Sequence, residues 1–183
     1  SHIDLGVSGW LADFGETLPP DAFLHNGVEA QLYHNQFVDD WVALNRSIIQ
    51  EAGLQGEGFF MSRSGTLRSP GKGMSFWIGD QNVTWDKYDG IKTVIPALLS
   101  SGLSGYSLQT IDVGGWISIS KVPWFGFTRS EELFLRWLDI GVFTSLLRFH
   151  HTNEPSKNHQ YNSNPYTLNM FTRAARFFQA LGP

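Results

Sequence analysis

Five short apolar runs, each closed by a charged residue, constrain this chain more than any other feature. They cover 7–12, 58–62, 74–78, 105–111 and 142–147 and are followed by Asp13, Arg63, Asp80, Asp112 and Arg148. Runs of this length bounded by polar residues read as buried strands. Between them, apolar residues recur every three or four positions. Ala30, Tyr33, Phe37, Trp41, Leu44 and Ile48 predict one helix, stopped by Gly53. Ile91, Val94, Ile95, Leu98 and Leu99 predict a second, bent by Pro96 and closed between Gly102 and Gly105. Thr128-Arg129-Ser130-Glu131 is a capping-box pattern ahead of Leu133, Phe134, Trp137 and Leu138. A fourth helix starts near Pro165, with Leu168, Phe171, Ala175 and Phe178 on one side. Strands alternating with helices predict an α/β fold, a parallel sheet covered by helices.

In a parallel barrel the polar residues at carboxyl-terminal strand ends converge on one face, where such folds keep their sites. One interval breaks the repeat: 64–73 is rich in glycine and basic residues, with no room for a crossover helix between Arg63 and Asp80. It lacks the Gly-Lys-Ser/Thr ending of a phosphate-binding loop and precedes a strand, so a phosphate cradle is rejected. A complete eight-stranded barrel takes about 250 residues, against 183 here. The expectation is therefore the C-terminal part of a (β/α)8 TIM barrel, about five strands with the early ones missing, forming one partial barrel domain over 1–183. The start Ser-His-Ile-Asp, with no initiator Met or signal-like core, fits an excerpt. An unclosed sheet of this kind is expected to associate through its edges.

Composition removes several classes of function. A hydrophobic share of 42% with 16% charged residues gives a globular chain, and a net charge of −4 without like-charge blocks excludes a nucleic-acid footprint. No apolar run is long enough to span a bilayer. With no cysteine there are no disulfides, thiolate metal sites or cysteine nucleophiles. His150 and His151 are adjacent, no His-Glu-x-x-His occurs, and so neither a metal site nor a cofactor is expected. Two glycosylation-type triplets begin at Asn45 and Asn82; a glycan on Asn82 would crowd Asp80 two residues away, so it is read as unmodified. The compartment, with the cytoplasm as default, and the oligomeric state are not written in the sequence.

Two acids at strand ends suit chemistry that divides its work between an ionised and a protonated carboxyl. Glycoside hydrolysis is such a reaction: one carboxylate attacks or stabilises the sugar cation and the other donates to the leaving oxygen. Asp13 and Asp80 lie 67 residues apart, so only the barrel could bring them together. The competing reading is that each caps a following helix. Glu16, three residues after Asp13, is read as a loop anchor or helix start. Trp10, Trp77, Trp85 and Trp116 lie near these residues and could stack on a sugar, whereas Trp41, Trp124 and Trp137 are expected to pack.

The blocks Trp10-Leu11-Ala12-Asp13-Phe14-Gly15-Glu16, Ser62-Arg63-Ser64-Gly65, Trp77-Ile78-Gly79-Asp80, Asp112-Val113-Gly114-Gly115 and Arg148-Phe149-His150 resemble, in order, the signature blocks of glycoside hydrolase family 31. The fuller segments 9–27, 79–85 and 129–137 resemble its sulfoquinovosidase branch more than the ordinary α-glucosidases. The resemblance implies Asp13 as nucleophile and Asp80 as general acid/base of a retaining α-glycosidase, whose two carboxyls lie about 5 to 5.5 Å apart. It implies sugar contacts for Arg63 and His150, a place near the sugar for Asp112 and a substrate-recognition position for Trp116, while Trp77, by its place in the chain, is read as a substrate neighbour that desolvates Asp80. Arg63 has a structural ion pair as its alternative role, and Asp112 a turn-fixing one. Without the resemblance His150 ranks no higher than His25, His34 or His159.

The expected partner is thus a carbohydrate, an α-glycoside carrying a sulfonate in the branch resembled. That branch binds the sulfonate with an arginine and a tryptophan that precede the nucleophile, outside this sequence, and with a tyrosine after the Gly-Gly turn. Trp116 stands at the tyrosine's position and Ile111 where a serine is usual. An indole N–H donates one hydrogen bond but accepts none. Neutral α-glucosides, and a non-catalytic carbohydrate-binding role, are the alternatives.

Overall fold

The computed structural model describes residues 2–122 and 124–182. The chain divides into two compact units, Ser1–Trp77 with Leu103–Leu108, and Ile78–Gly102 with Gln109–Pro183.

In the first unit β1 (Gly9–Ala12), β2 (Phe59–Ser62) and β3 (Ser75–Trp77) run parallel in that order, with Gly9 opposite Phe59, Ala12 opposite Ser62 and Ser62 opposite Phe76. This register brings the three strand ends level. Helix α1 (Ala30–Glu51) crosses from β1 to β2, and Val42 and Ile49 pack with Ala12 and Phe60 in the core, flanked by Trp10, Trp41, Leu54 and Met74. The helix buries Ala30, Val38, Asp39, Val42, Asn45 and Ile49. This stripe lies one residue beyond the expected Phe37, Trp41, Leu44 and Ile48, and Leu44 and Ile48 are exposed. The offset arises because the buried stripe contains two polar residues with internal partners. Asn45 accepts from Trp10 Nε1 at 2.8 Å and donates to the Trp41 carbonyl at 2.9 Å. A glycan at Asn45 is incompatible with this arrangement.

Asp39, the other buried polar residue, holds the 64–73 loop. Its Oδ1 accepts from Thr66 Oγ1 at 2.7 Å and Ser69 Oγ at 2.5 Å, and Tyr106 donates to the Thr66 carbonyl at 3.3 Å. A polar knot therefore occupies the place of a crossover helix between β2 and β3, as the short interval predicts.

In the second unit α2 (Ile91–Leu103) runs through Pro96 without interruption and precedes β4 (Gln109–Thr110). Helix α3 (Glu131–Gly141) starts on Ser130, whose side chain accepts the Leu133 amide at 3.2 Å, so the expected Thr128–Glu131 capping box is replaced by a single serine cap two residues later. Helix α4 (Pro165–Leu181) starts on Asn164, which accepts the Thr167 amide at 2.7 Å and donates to Glu131 at 2.7 Å, tying the two helix starts together. The core comprises Val83, Ile91, Val94, Ile111, Val113, Leu133, Phe134, Trp137 and Leu138. From α4, Phe171 and Ala174 pack against it, while Leu168 is exposed.

The fifth expected strand, 142–147, is a correction. Val142 caps α3, a turn follows, and the segment then makes single parallel bridges, Thr110 to Leu146 and Val113 to Phe149. The chain course is that of a strand, but Ser145 and Arg148 join their neighbours through one backbone bond each, Ser145 N to Gln109 O and Val113 N to Arg148 O. Trp124 is a second correction: it is fully exposed and adopts a positive φ of 71°, in place of the expected packing.

Candidate active site

In the first unit the end of β1 turns abruptly. Phe14 and Gly15 have φ of 61° and 93°, a conformation costly for a bulky residue and one that clusters at functional sites. The turn aims the Phe14 amide back at Asp13 Oδ1, 2.9 Å away, while the Phe14 carbonyl accepts from Ser64 Oγ at 2.7 Å. Gly15 is required twice over, by its φ and because a Cβ there would collide with Trp41 and Ser64. Asp13 is half-buried, with one carboxylate oxygen engaged by backbone and cation.

That cation is Arg63, at the end of β2. Its Nε and Nη2 donate to Glu16 Oε1 at 2.9 and 2.8 Å, and Nε also lies 3.3 Å from Asp13 Oδ1. The Phe14 ring faces the guanidinium at 4.6 Å and the Trp77 ring at 5.6 Å. Glu16 is thus a loop anchor, and no helix starts there. Trp77 is only 3% exposed; it meets the site through Arg63 and presents no open face for stacking.

In the second unit Asp80 follows Gly79, whose φ is 91°. Its loop is stitched by Gln81, which donates to the Ile78 carbonyl at 2.9 Å and whose own carbonyl accepts the Trp116 and Ile117 amides at 2.8 and 3.0 Å. The Asp80 backbone is therefore tied to the segment bearing Trp116. Asp112 is fully buried and ion-paired with Arg148, and its carbonyl accepts the Gly115 amide at 2.8 Å. These contacts fit the turn-fixing role for Asp112.

His150 and Trp116 stand together, ring centroids 4.2 Å apart. The Thr152 amide donates to His150 Nδ1 at 3.3 Å, which leaves Nε2 to carry the proton and act as donor. Burial pushes the His150 imidazolium pKa down to about 4, helped by the charges of Arg148, Arg129 and His151. The ring is neutral at ordinary pH. His159 differs: it bonds Thr167 at 2.7 Å beneath α4 and serves packing. His34 likewise bonds the Leu18 carbonyl at 2.9 Å. Among the described residues no three His, Cys, Asp or Glu side chains converge as a metal site would need, and no helix is long and apolar enough to cross a membrane.

Sequence reasoning missed Arg129. It reads as a filler within a capping box, yet it is buried and bonded to three backbone carbonyls of the second unit. The only available signal was a cation beside an N-cap, where helix electrostatics disfavour it.

The family described as the glycosyl hydrolases family 31 TIM-barrel domain matches residues 1–181. The chain belongs to glycoside hydrolase family 31. Within that family it is 40% identical over 181 residues to the sulfoquinovosidase of Escherichia coli K12, covering 99% of this chain and 26% of that protein. It is 39% identical to the sulfoquinovosidase of Agrobacterium fabrum, with the same coverage. A solved family 31 sulfoquinovosidase from E. rectale, in complex with an aza-sugar inhibitor, superposes with a TM-score of 0.87 at 35% identity, over 97% of this chain and 26% of that one. The chain thus spans about a quarter of the length of these relatives and is part of the family's TIM-barrel domain.

Proposed function

We propose that residues 1–183 form part of the catalytic barrel of a retaining α-glycoside hydrolase that releases sulfoquinovose from α-sulfoquinovosides. The observation that carries this reading is the end of β1, where Asp13 sits on a left-handed turn, bonded to its neighbour's amide and 3.3 Å from Arg63. The 40% identity to an E. coli sulfoquinovosidase supports the choice of substrate.

The roles are those that the family resemblance implies for these positions. Asp13, with one oxygen fixed, attacks the anomeric carbon through the other while Asp80 protonates the departing glycosidic oxygen, giving a glycosyl ester and a free alcohol. Asp80, now ionised, takes a proton from water as the water oxygen attacks the same carbon, which frees Asp13 and restores both carboxyls. Arg63 orients Asp13 through the 3.3 Å ion pair, and His150 donates from Nε2 to a sugar hydroxyl. Two inversions return the sugar with its configuration retained.

The test is proton NMR of the parent enzyme acting on 4-nitrophenyl α-sulfoquinovoside. The α-anomer appears first, Asp13→Asn abolishes turnover, and azide rescues Asp80→Ala on this activated substrate. First appearance of the β-anomer, or unchanged turnover in Asp13→Asn, overturns the reading. A second reading, a neutral α-glucoside as substrate, is favoured by Trp116 in place of the branch's tyrosine. Faster turnover of the matched glucoside decides for it.

A further inference from the structure

Nothing in a serine N-cap requires a charge one residue before it, yet Arg129 stands there and is 2% exposed. A guanidinium withdrawn from water is tolerated only when its donors are used. Here Nη1 donates to the carbonyls of His150 at 2.8 Å and Gly115 at 3.3 Å, Nε to the His159 carbonyl at 2.8 Å, and Nη2 to Gln160 Oε1 at 3.0 Å. Its own amide donates to Asn158 Oδ1 at 2.6 Å, and its guanidinium faces the Phe134 ring at 5.2 Å. We propose that Arg129 is a positioning residue for sugar recognition, its guanidinium locking the 113–116 turn to the 148–152 segment so that Trp116 and His150 present one fixed face.

The proposal deepens the reading of His150 as a sugar contact and rests on it. Gly114 gives independent support: with φ of 94°, its missing Cβ would lie 2.7 Å from Arg129 Cδ and 2.9 Å from Cζ. The glycine turn and the arginine thus occupy one space, and a side chain at 114 would displace the guanidinium. Burial holds the Arg129 pKa down at about 10, partly offset by Asp112, so it remains a cation at neutral pH. That charge acts on the His150 imidazole together with Arg148 and His151, while Asp112 faces Arg148. The backbone clamp and the charge serve the same ring. A lysine could keep the charge but not bond several carbonyls in one plane.

The experiment uses Arg129→Met and Arg129→Lys in the parent enzyme. The pH dependence of His150 carbethoxylation by diethyl pyrocarbonate, read by tandem mass spectrometry that separates it from His151, reports the neutral imidazole without requiring catalysis. In Arg129→Met the half-point rises from about 4, and KM rises on the order of tenfold with a smaller change in kcat. In Arg129→Lys the half-point stays low while KM stays raised, which separates geometry from charge. Gln160→Ala, which removes one acceptor and leaves the buried charge, gives the same KM change in smaller measure and serves if Arg129→Met does not fold. Loss of thermal stability alone, with KM and the His150 half-point unchanged, overturns the proposal. A parent that turns over no sugar overturns the proposed function, whereas an unchanged KM in Arg129→Lys of an active parent overturns the clamp.

Discussion

Arg63 Nε lies 3.3 Å from Asp13 Oδ1, and the same guanidinium reaches Glu16 Oε1 from both Nε and Nη2, at 2.9 and 2.8 Å. One cation is shared between a carboxylate proposed to react and one that does not. Replacing Arg63 by Ala removes the charge that steadies Asp13, and kcat/KM is expected to fall by about 10²–10³. Glu16→Gln leaves the cation in place, so its loss should stay within about tenfold. Steady-state kinetics of the two variants make the comparison; equal losses would place the effect in the loop and not in Asp13.

His150 makes stability depend on pH. The unfolded chain protonates this imidazole as pH falls through its ordinary value of 6.5, whereas the folded chain resists until about 4. Between those values the unfolded state binds the extra proton, so stability drops as pH falls. The contribution is complete above 6.5 and lost below 4. Thermal midpoints of the parent protein from pH 7.5 to 4 should decline, and His150→Gln should flatten the slope.

Phe60 and Trp137 are fully buried in the cores of their respective units. Truncating either to Ala leaves a cavity worth about 3–5 kcal/mol of stability. Denaturant titration measures the loss; a value below about 1 kcal/mol would mean that the site collapses to fill the space.

Gly15→Ala tests the turn after Asp13. The new Cβ meets Trp41 and Ser64 in a backbone conformation with φ of 93°, a combined penalty of about 1–3 kcal/mol or more. Activity should fall further than stability, because the turn also aims the Phe14 amide at Asp13. A variant that loses stability while retaining wild-type kcat would separate the turn from catalysis.

The sequence revealed most of the frame where apolar residues alone carried it. The ends of β1 and β2, the start of α4 near Pro165, and the missing crossover before β3 all follow from local pattern. Reading failed where polar groups are buried. Asp39 and Asn45 shifted the inner stripe of α1 by one residue, since periodicity counts only apolar positions, while their partners Thr66, Ser69 and Trp10 are far away in sequence. Arg129 was hidden for the same reason, three of its acceptors being backbone carbonyls that no side-chain pattern records. The 142–147 run has strand composition but pairs at single positions, because Val142 to Thr144 are used to end α3. Asp13 was visible as a strand-end acid, and the left-handed Phe14 that orients it was not.

The knot of Thr66 and Ser69 on Asp39 bears on how this barrel could be re-engineered. A crossover helix can slide or lengthen by a turn and still find apolar cover, but two hydroxyls meeting a single carboxylate oxygen set the loop's length to the residue. Insertions within 64–69 would pull Thr66 or Ser69 off Asp39, so added length is better grafted onto the longer segment between β1 and α1.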